Sequence, residues 1–340
     1  MARLKVLLVG AGGMGKTWAK NLRDFDEVET AGWIDIRAGT AGEAIETLQL
    51  KGVTPFDDLG KALSEIRPDF MVDVTIPESH REVTLAALQA GIPVLGEKPM
   101  ADSMAAAREM VAAAERAGKL YMVSQSRRYD ARALAFGEAI REHAGEIGIL
   151  CSDFFLGPHF GGFREEMHSP LLLDMAIHTF DSARQISGRD PVAVYCRESN
   201  PAWSWFKGDA SATALFEMTG GLQYIYNGSW CAQGLNTSWQ SQWRAFGSLG
   251  AASWDGENDP VANRVTGSDG FMRATEKISV KAEPNLAGGI AGSLREFVQA
   301  LRTGQTPQGE CHDNIKSLAM VFAAIESAKT GKRVSVEQLA

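Results

Sequence analysis

The sequence predicts an α/β protein in which an N-terminal doubly wound parallel sheet precedes a C-terminal α+β domain with a mostly antiparallel, open sheet. Short apolar runs alternate with helical patterns up to about residue 124, which is typical of a parallel sheet with helical crossovers. Beyond that point, strand patterns follow one another with turns between them. We therefore expect domains over residues 1–124 and 125–340, and leave open whether the C-terminal helices pack back on the first domain.

In the first domain, Leu4–Val9 is a continuous apolar run, as expected of a strand buried on both faces. A glycine-rich turn and a helix over 14–23 follow it. Gly118 marks the end of a later helix, because glycine readily takes the left-handed conformation found there. The other predicted strands are Val28–Ile34, 70–74, 93–95 and Tyr121–Ser124, and the other predicted helices are 82–90 and 103–117.

The second domain has a less regular pattern. The pair Gly220-Gly221 stands between two strand-like runs and predicts a hairpin turn. Residues 232–291 give weak signals, in which strands are expected but not delimited. Helices are predicted over 131–143, 171–186, 292–302 and 314–329, and strands over 150–156, 192–197, 212–218 and 222–230.

Composition excludes several classes of protein. At 340 residues, 45% hydrophobic and 22% charged, the chain is a folded protein of about two domains. A net charge of −8 makes nucleic acid and anionic membranes poor partners. The four cysteines include no C-x-x-C pair, which argues against a disulfide framework or a zinc cluster, and we predict no metal site. With no apolar run long enough to cross a bilayer and no room for a signal peptide before Leu4, we expect a cytoplasmic protein.

The first chemical signal is G-x-G-x-x-G at residues 10–15, directly after the buried strand and at the start of the next helix. In a Rossmann fold, such a turn lets the backbone approach a pyrophosphate, and the helix N-terminus offers unpaired N–H groups. A structural turn with no ligand is the alternative. The residues expected to hold a dinucleotide here are Gly10, Gly12, Gly13, Met14 and Gly15.

The residues after the second strand bear on the choice of dinucleotide. Asp35 stands where a carboxylate accepts both ribose hydroxyls of an adenosine, which favours NAD. Arg37 could instead hold a 2′-phosphate, so NADP is possible. Arg37 could equally lie over the adenine or be a solvated side chain. We expect NAD, because Asp35 occupies the more diagnostic position.

Two further motifs carry polar side chains with acid–base chemistry. Glu97-Lys98-Pro99 follows the strand at 93–95, at the edge where open α/β sheets bind ligands. Farther along, Asp174 and His178 are four residues apart on a predicted helix and share one face, with Asp181 close to the same stripe.

Together these motifs resemble the Gfo/Idh/MocA family of oxidoreductases, typified by glucose–fructose oxidoreductase and inositol dehydrogenase. The resemblance covers nearly the whole chain. One segment departs from it, because Ser169-Pro170-Leu171 replaces the family's glycine-rich approach to the D-x-x-x-H helix. Segments similar to the family are residues 73–80, 127–130 and 327–334.

The resemblance implies roles for these residues. His178 is the acid–base group, Asp174 fixes its tautomer or shares the substrate hydroxyl, and Lys98 stabilises alkoxide character on the reacting oxygen. A satisfied helix histidine is the alternative for His178. The family places a further set near the nicotinamide ribose, for which turn and capping chemistry is the alternative: Thr75, Ile76, Pro77, His80 and Glu97.

The substrate side of the second domain is less sharply defined. Arg127, Tyr129 and His159 are expected to line the substrate cleft beside Lys98, Asp174 and His178. Aromatic faces suit the C–H faces of sugar rings, but for any single tryptophan the protein core or a subunit interface is the favoured interpretation. Six of the eight tryptophans follow residue 200: Trp203, Trp205, Trp230, Trp239, Trp243 and Trp254.

The leading hypothesis is an NAD(P)-dependent dehydrogenase that acts on a secondary alcohol of a sugar, glycoside or cyclitol. A redox-neutral, NAD-dependent glycoside-cleaving enzyme of the same family is the first alternative. A non-catalytic sugar- or NAD-sensing regulator is the second, and the presence of Lys98, Asp174 and His178 argues against it. The resemblance also implies a homodimer or homotetramer formed through the C-terminal sheet.

Overall fold

The computed structural model describes residues 2–284, 286 and 288–340. They form two compact units. The first comprises Met1–Ser126 and Gly289–Ile315, and the second comprises Arg127–Gly288 and Lys316–Ala340. The first unit therefore contains a C-terminal segment in addition to the N-terminal part of the chain.

Strands and helices alternate up to Ser124. Their bounds, in chain order, are β1 Leu4–Val9, α1 Gly13–Arg23, β2 Val28–Ile34, α2 Thr40–Thr47, β3 Thr54–Phe56, α3 Leu59–Ile66, β4 Phe70–Asp73, α4 Pro77–Gln89, β5 Val94–Glu97, α5 Met104–Ala117 and β6 Tyr121–Ser124.

Strands predominate in the next part of the chain, and helices close it. The bounds are α6 Ala131–Ala139, β7 Ile147–Phe155, α7 Phe163–Glu166, α8 Ile177–Ser187, β8 Pro191–Ser199, β9 Ser211–Met218, β10 Gln223–Ser229, β11 Gln242–Gly247, β12 Gly250–Trp254, β13 Val261–Val265, β14 Thr275–Ser279, α9 Gly289–Thr303, α10 Cys311–Thr330 and β15 Val334–Ser335.

In the first unit, the described strands form a parallel sheet in the order β3-β2-β1-β4-β5-β6. This is the Rossmann order, and it confirms the predicted doubly wound sheet. Val6, Leu7 and Leu8 of β1 are fully buried, because helices cover both faces of such a sheet. The strand order reverses between β1 and β4, so the turns after these two strands meet where such folds bind ligands.

In the second unit, the described strands form one sheet in the order β14-β13-β12-β11-β7-β10-β9-β8-β15. Among them β7 and β10 pair in parallel and the other neighbours are antiparallel, which confirms a mostly antiparallel sheet. An aromatic cluster packs on one face, where the Phe180 ring of α8 lies 4.8 Å from Phe216 and 5.1 Å from Tyr226, measured between ring centroids. Along β9, buried and more exposed residues alternate, so the opposite face of the sheet is open.

In the first unit the sequence pattern missed three elements, and in the second unit it missed α7, β15 and two π-helical turns. The helices α2 and α3 have eight residues each and β3 has three, too few to give a clear periodicity. The helix predicted over 171–186 begins as a π-helical turn, Leu171–Ala176, before it becomes α8. In the described part of the chain, no helix has the length and apolar character needed to cross a membrane.

Candidate active site

Two glycines of the turn after β1 are required by the chain itself. Gly10 has φ +98, and a Cβ on it would lie 2.6 Å from the Val74 carbonyl oxygen. A Cβ on Gly15 would lie 2.0 Å from the Gly10 carbonyl oxygen. That carbonyl also accepts a hydrogen bond from Trp33 Nε1 at 3.0 Å. The turn is therefore tightly packed on the side that faces the sheet.

The other two glycines of the motif are not required by packing. Gly12 is the N-cap of α1 and Gly13 its first residue, and a Cβ on either would meet no atom within 4 Å. Open space therefore lies next to the N-terminal N–H groups of α1. An anion-binding site at a helix N-terminus has this geometry. Met14, beside them, is about half exposed. This geometry fits a pyrophosphate.

Asp35 follows β2 and is buried, with its carboxylate held by three groups. Oδ2 accepts from the Ala11 backbone N–H at 2.9 Å, and Oδ1 accepts from the backbone N–H and Nε of Arg37, both at 3.0 Å. Burial opposes ionisation of Asp35, but the hydrogen bonds from Arg37 and Ala11 outweigh it and lower the pKa. Asp35 is thus an anion beside the phosphate turn, and the exposed Arg37 guanidinium contacts it directly.

The turn after β4 is stabilised by its own side chains. Asp73 Oδ1 accepts from the Thr75 hydroxyl at 2.6 Å, and the buried His80 places Nε2 3.0 Å from the Thr75 carbonyl oxygen. Ile76 is 63% exposed as the N-cap of α4, and Pro77 is the first residue of that helix. Thr75 and His80 therefore shape the loop. The Ile76 side chain, in contrast, is exposed to solvent.

Glu97 ends β5 and is buried. Its Oε1 accepts from Trp18 Nε1 at 2.7 Å, and its Oε2 accepts from the Lys98 backbone N–H at 3.1 Å. Burial raises the pKa of Glu97, although Trp18 and Lys98 oppose the rise. The Lys98–Pro99 peptide bond is cis. Glu97 thus connects α1 to the turn that carries Lys98.

In the second unit, Asp174 lies in the π-helical turn and His178 is the second residue of α8. Both are half-buried. Asp174 Oδ2 accepts from Arg164 Nε at 2.6 Å. π-Helical turns within α-helices are frequent at functional sites. The predicted pair therefore lies at the junction of two helix types.

Arg164 contacts the candidate residue Asp174, and no sequence motif predicted it. Its guanidinium carbon lies 5.1 Å from the Phe160 ring centroid and 4.8 Å from that of Phe163, within the range of a cation–π contact. Because it belongs to the short helix α7 in a loop without periodicity, no motif pointed to it. Its spacing of ten residues from Asp174 is not a helical repeat.

His159 lies in the same loop, exposed to solvent. Its ring stacks on Trp205 with 3.8 Å between ring centroids, and its Nε2 lies 3.2 Å from Gln233 Nε2. Among the tryptophans after residue 200, Trp230, Trp243 and Trp254 are buried in the core, whereas Trp203 and Trp239 are exposed. The expectation that these tryptophans belong to the protein core is therefore confirmed for three of them, whereas the two exposed ones lie outside the core.

In the segment predicted to line the substrate cleft, Arg127 and Arg128 make different contacts. Arg127 Nη2 donates to Met175 Sδ at 3.5 Å, and burial lowers the pKa of Arg127 to about 10. Its neighbour Arg128 forms a buried bidentate pair with Asp181, at 2.7 and 2.6 Å. Asp181, near the predicted catalytic stripe, thus supports the packing of α8. Tyr129 is buried.

Comparison with known proteins decides the family. Residues 4–125 match the family described as "Oxidoreductase family, NAD-binding Rossmann fold". Residues 153–253 match the "GFO/IDH/MocA C-terminal domain". The chain belongs to the GFO/IDH/MocA oxidoreductase family. It is accordingly an NAD(P)-dependent dehydrogenase of the class that acts on CH–OH groups, with an NAD-binding Rossmann unit.

Two curated relatives align along almost the entire chain. D-apiose dehydrogenase of Paraburkholderia graminis is 27% identical, over 99% of this chain and 91% of that protein. Inositol 2-dehydrogenase of Streptomyces avermitilis is 26% identical, over 98% of this chain and 94% of that protein. A crystal structure of an oxidoreductase from Agrobacterium radiobacter, in complex with NAD+, L-tartaric acid and magnesium, has the same fold. It superposes with a TM-score of 0.87 at 21% identity and covers 100% of both chains.

Proposed function

We propose that the protein oxidises a secondary alcohol on a sugar, glycoside or cyclitol ring and transfers the hydride to NAD. The observation that carries this proposal is the Asp174 side chain, which pairs with Arg164 and lies four residues before His178. The sugar and cyclitol substrates in the names of its relatives support the same substrate class.

The cofactor proposal is that NAD is preferred to NADP. The N–H groups at the start of α1 suit the pyrophosphate, and the two Asp35 oxygens suit the ribose hydroxyls. A 2′-phosphate would meet the negative charge of Asp35 instead. Arg37 has to release part of its contact with Asp35 when the ribose hydroxyls take its place. When bound, NAD supplies the hydride acceptor.

For the chemistry, we propose that Lys98, Asp174 and His178 act on one substrate hydroxyl. His178 takes the hydroxyl proton, because imidazole accepts and returns protons near neutral pH. Lys98 donates a hydrogen bond to the same oxygen and stabilises its alkoxide character. Asp174, held by Arg164, accepts a hydrogen bond from the substrate or from His178 and does not itself deliver the proton.

The loop after β4 and Glu97 support the binding and chemistry of the cofactor in this proposal. We propose that the loop of Thr75, Ile76, Pro77 and His80 presents its backbone and the exposed Ile76 side chain to the nicotinamide ribose. Glu97 acts by fixing the Lys98 backbone.

On the substrate side, we propose contacts from exposed or partly exposed groups. His159 is stacked on Trp205 and exposes the rest of its ring, so it suits a substrate hydroxyl. Arg127 and Tyr129 are more enclosed and are proposed to shape the walls of the substrate site.

The open face of the second sheet suggests a contact with a second copy of the chain. Tyr195, Leu215, Ile225 and Cys151 are neighbours across β8, β9, β10 and β7 and form an apolar row on that face. Tyr195 and Leu215 are 48% and 37% exposed. We propose a homodimer or homotetramer through this face, as exposed apolar rows often mark interfaces. A Leu215→Glu variant should shift the mass measured by light scattering toward the monomer, and an unchanged oligomer would contradict this interface.

The proposed function is tested with a panel of polyols, neutral sugars, uronic acids and sugar phosphates at equal concentration with NAD. Net NADH formation with neutral rings is the expected result. Cleavage of nitrophenyl glycosides without net NADH would replace the dehydrogenase with the redox-neutral hypothesis. Activity confined to anionic substrates and abolished in Arg127→Ala would show that the neutral-ring assignment is wrong.

A further inference from the structure

Three donor groups of different chemistry face one another where α10 begins. Glu310 Oε1 lies 2.9 Å from Cys311 Sγ and 2.8 Å from His312 Nδ1. Cys311 Sγ and His312 Nδ1 are 3.6 Å apart. The ligand atoms of a tetrahedral zinc site, at bond lengths of about 2.0–2.3 Å, are separated by roughly 3.3–3.7 Å. The three distances among the carboxylate, thiol and imidazole atoms are therefore within about half an ångström of those in a zinc site.

A second carboxylate fixes the orientation of the histidine. His312 Nε2 lies 2.9 Å from Glu115 Oε1, near the end of α5. When Nε2 carries a proton and donates it to Glu115, the lone pair of Nδ1 points toward Cys311 and Glu310. Nδ1 then faces a carboxylate and needs a cation between them, either a proton or a metal ion. Histidine ligands of metals are commonly held by a carboxylate on their other nitrogen in this way.

The cysteine spacing led to the expectation of no metal site, but it did not take neighbouring carboxylate and imidazole groups into account. We propose that Glu310, Cys311 and His312 form a binding site for a divalent transition metal ion, with zinc as the best match, and that Glu115 is the positioning residue of His312. Thiolate and imidazole favour zinc over magnesium or calcium. The buried Cys311 thiol donates to Glu310 Oε1, and its proton leaves to solvent by way of that carboxylate as the Cys311–metal bond forms; no atom is oxidised or reduced. The His312 side chain is 52% exposed, so water has access to the fourth coordination position.

The three residues lie where the start of α10 contacts β6, so a bound metal ion would affect stability. Val123 N–H donates to the Gly309 carbonyl at 2.9 Å, and Met122 of β6 forms a bridge with Glu310. A metal ion would therefore fasten the first turn of α10 to the edge strand β6, and through Glu115 to α5. We expect it to raise the unfolding temperature, because it binds the folded chain and the unfolded chain lacks the preformed site.

The experiment is a Co²⁺ titration of the full chain after treatment with a chelator, followed by competition with Zn²⁺. We expect one ion per chain, a thiolate-to-cobalt absorption band, displacement by Zn²⁺ and a rise in Tm. Cys311→Ser should abolish the band and weaken binding at least tenfold, and Glu115→Gln should weaken it about tenfold. Cys196→Ser and His143→Asn, which lie outside the cluster, should bind cobalt as the natural chain does.

Absence of saturable binding would overturn the proposal, as would a cobalt band that survives in Cys311→Ser. If Cys311→Ser folds poorly, His312→Asn supplies the same test, because its side chain is half exposed; unchanged affinity in that variant also contradicts the site. NAD binding and substrate oxidation are measured separately, so failure of the metal site leaves the proposed dehydrogenase activity untouched.

Discussion

Arg164 Nε donates a hydrogen bond to Asp174 Oδ2 over 2.6 Å. The guanidinium is also in contact with the faces of Phe160 and Phe163, which limits its own movement. Because both partners are partly shielded from water, this charge-assisted contact holds Asp174 in one orientation. The loop that contains α7 thus reaches the residue that we place next to the reacting hydroxyl.

Replacing Arg164 should impair turnover without affecting cofactor binding. We expect Arg164→Ala to lower kcat/KM about 10–100-fold, because Asp174 loses its orientation and its counter-charge. Steady-state kinetics and an NAD binding titration check both expectations.

Lys207→Ala is the matched control for Arg164. Lys207 pairs with Glu166 of the same short helix but makes no contact with Asp174. Its loss should leave kcat/KM nearly unchanged. Equal losses in the two variants would indicate that the loop acts only through its folding.

The glycine turn offers a comparison between two alanine variants. Gly15→Ala should lower stability by roughly 2 kcal/mol or more, because the added Cβ meets the Gly10 carbonyl oxygen. Gly12→Ala should leave Tm nearly unchanged, since no atom lies within 4 Å of its Cβ. Its NAD affinity should nevertheless fall at least about tenfold, because the methyl group occupies the space where the pyrophosphate approaches. Thermal melts and NAD titrations would contradict this account if Gly12→Ala bound NAD normally.

The contact between Asp35 and Arg37 predicts how cofactor preference changes. Asp35→Ser removes the charge that repels a 2′-phosphate and releases Arg37 to pair with that phosphate. The ratio of kcat/KM for NADP to that for NAD should rise by about tenfold or more. A natural chain that already prefers NADP would show that Asp35 does not face the ribose.

The first unit could be predicted from sequence because its signals are local. The apolar run Leu4–Val9, the glycine turn and Asp35 lie within 35 residues, and the parallel sheet follows from their repeating order. The short elements α2, β3 and α3 were missed because eight or fewer residues do not establish a period.

The second unit depends on contacts that no spacing reveals. Arg164 reaches Asp174 from an irregular loop, and Arg128 pairs with Asp181 across 53 residues. The stacking of His159 on Trp205 joins residues 46 positions apart, and only the folded chain shows it. Sequence therefore indicated candidate acid–base residues, but it did not indicate Arg164, which contacts one of them.

Glu198 predicts a pH dependence of stability. Burial raises its pKa from 4.5 to about 7, although a hydrogen bond from Ser169 opposes the rise, and Oε1 has no hydrogen-bond partner among the described residues. The folded chain thus keeps a proton that the unfolded chain loses, so stability falls as pH rises from about 4.5 to 7. Glu198→Gln should remove this slope and raise Tm at pH 8 by about 2–4 °C. An unchanged slope between pH 5 and 8 would show that Glu198 is ionised at little cost.

The most direct test of the central claim is the rate of NADH formation by His178→Asn in a single turnover, measured with the best neutral ring substrate beside an NAD binding titration. We predict a loss of about two orders of magnitude or more in rate, with NAD affinity unchanged within about twofold, because a positioned proton acceptor is removed from an intact cofactor site. A rate close to that of the natural chain, or a parallel loss of NAD binding, would contradict the assignment of His178 as the base that accepts the substrate's hydroxyl proton.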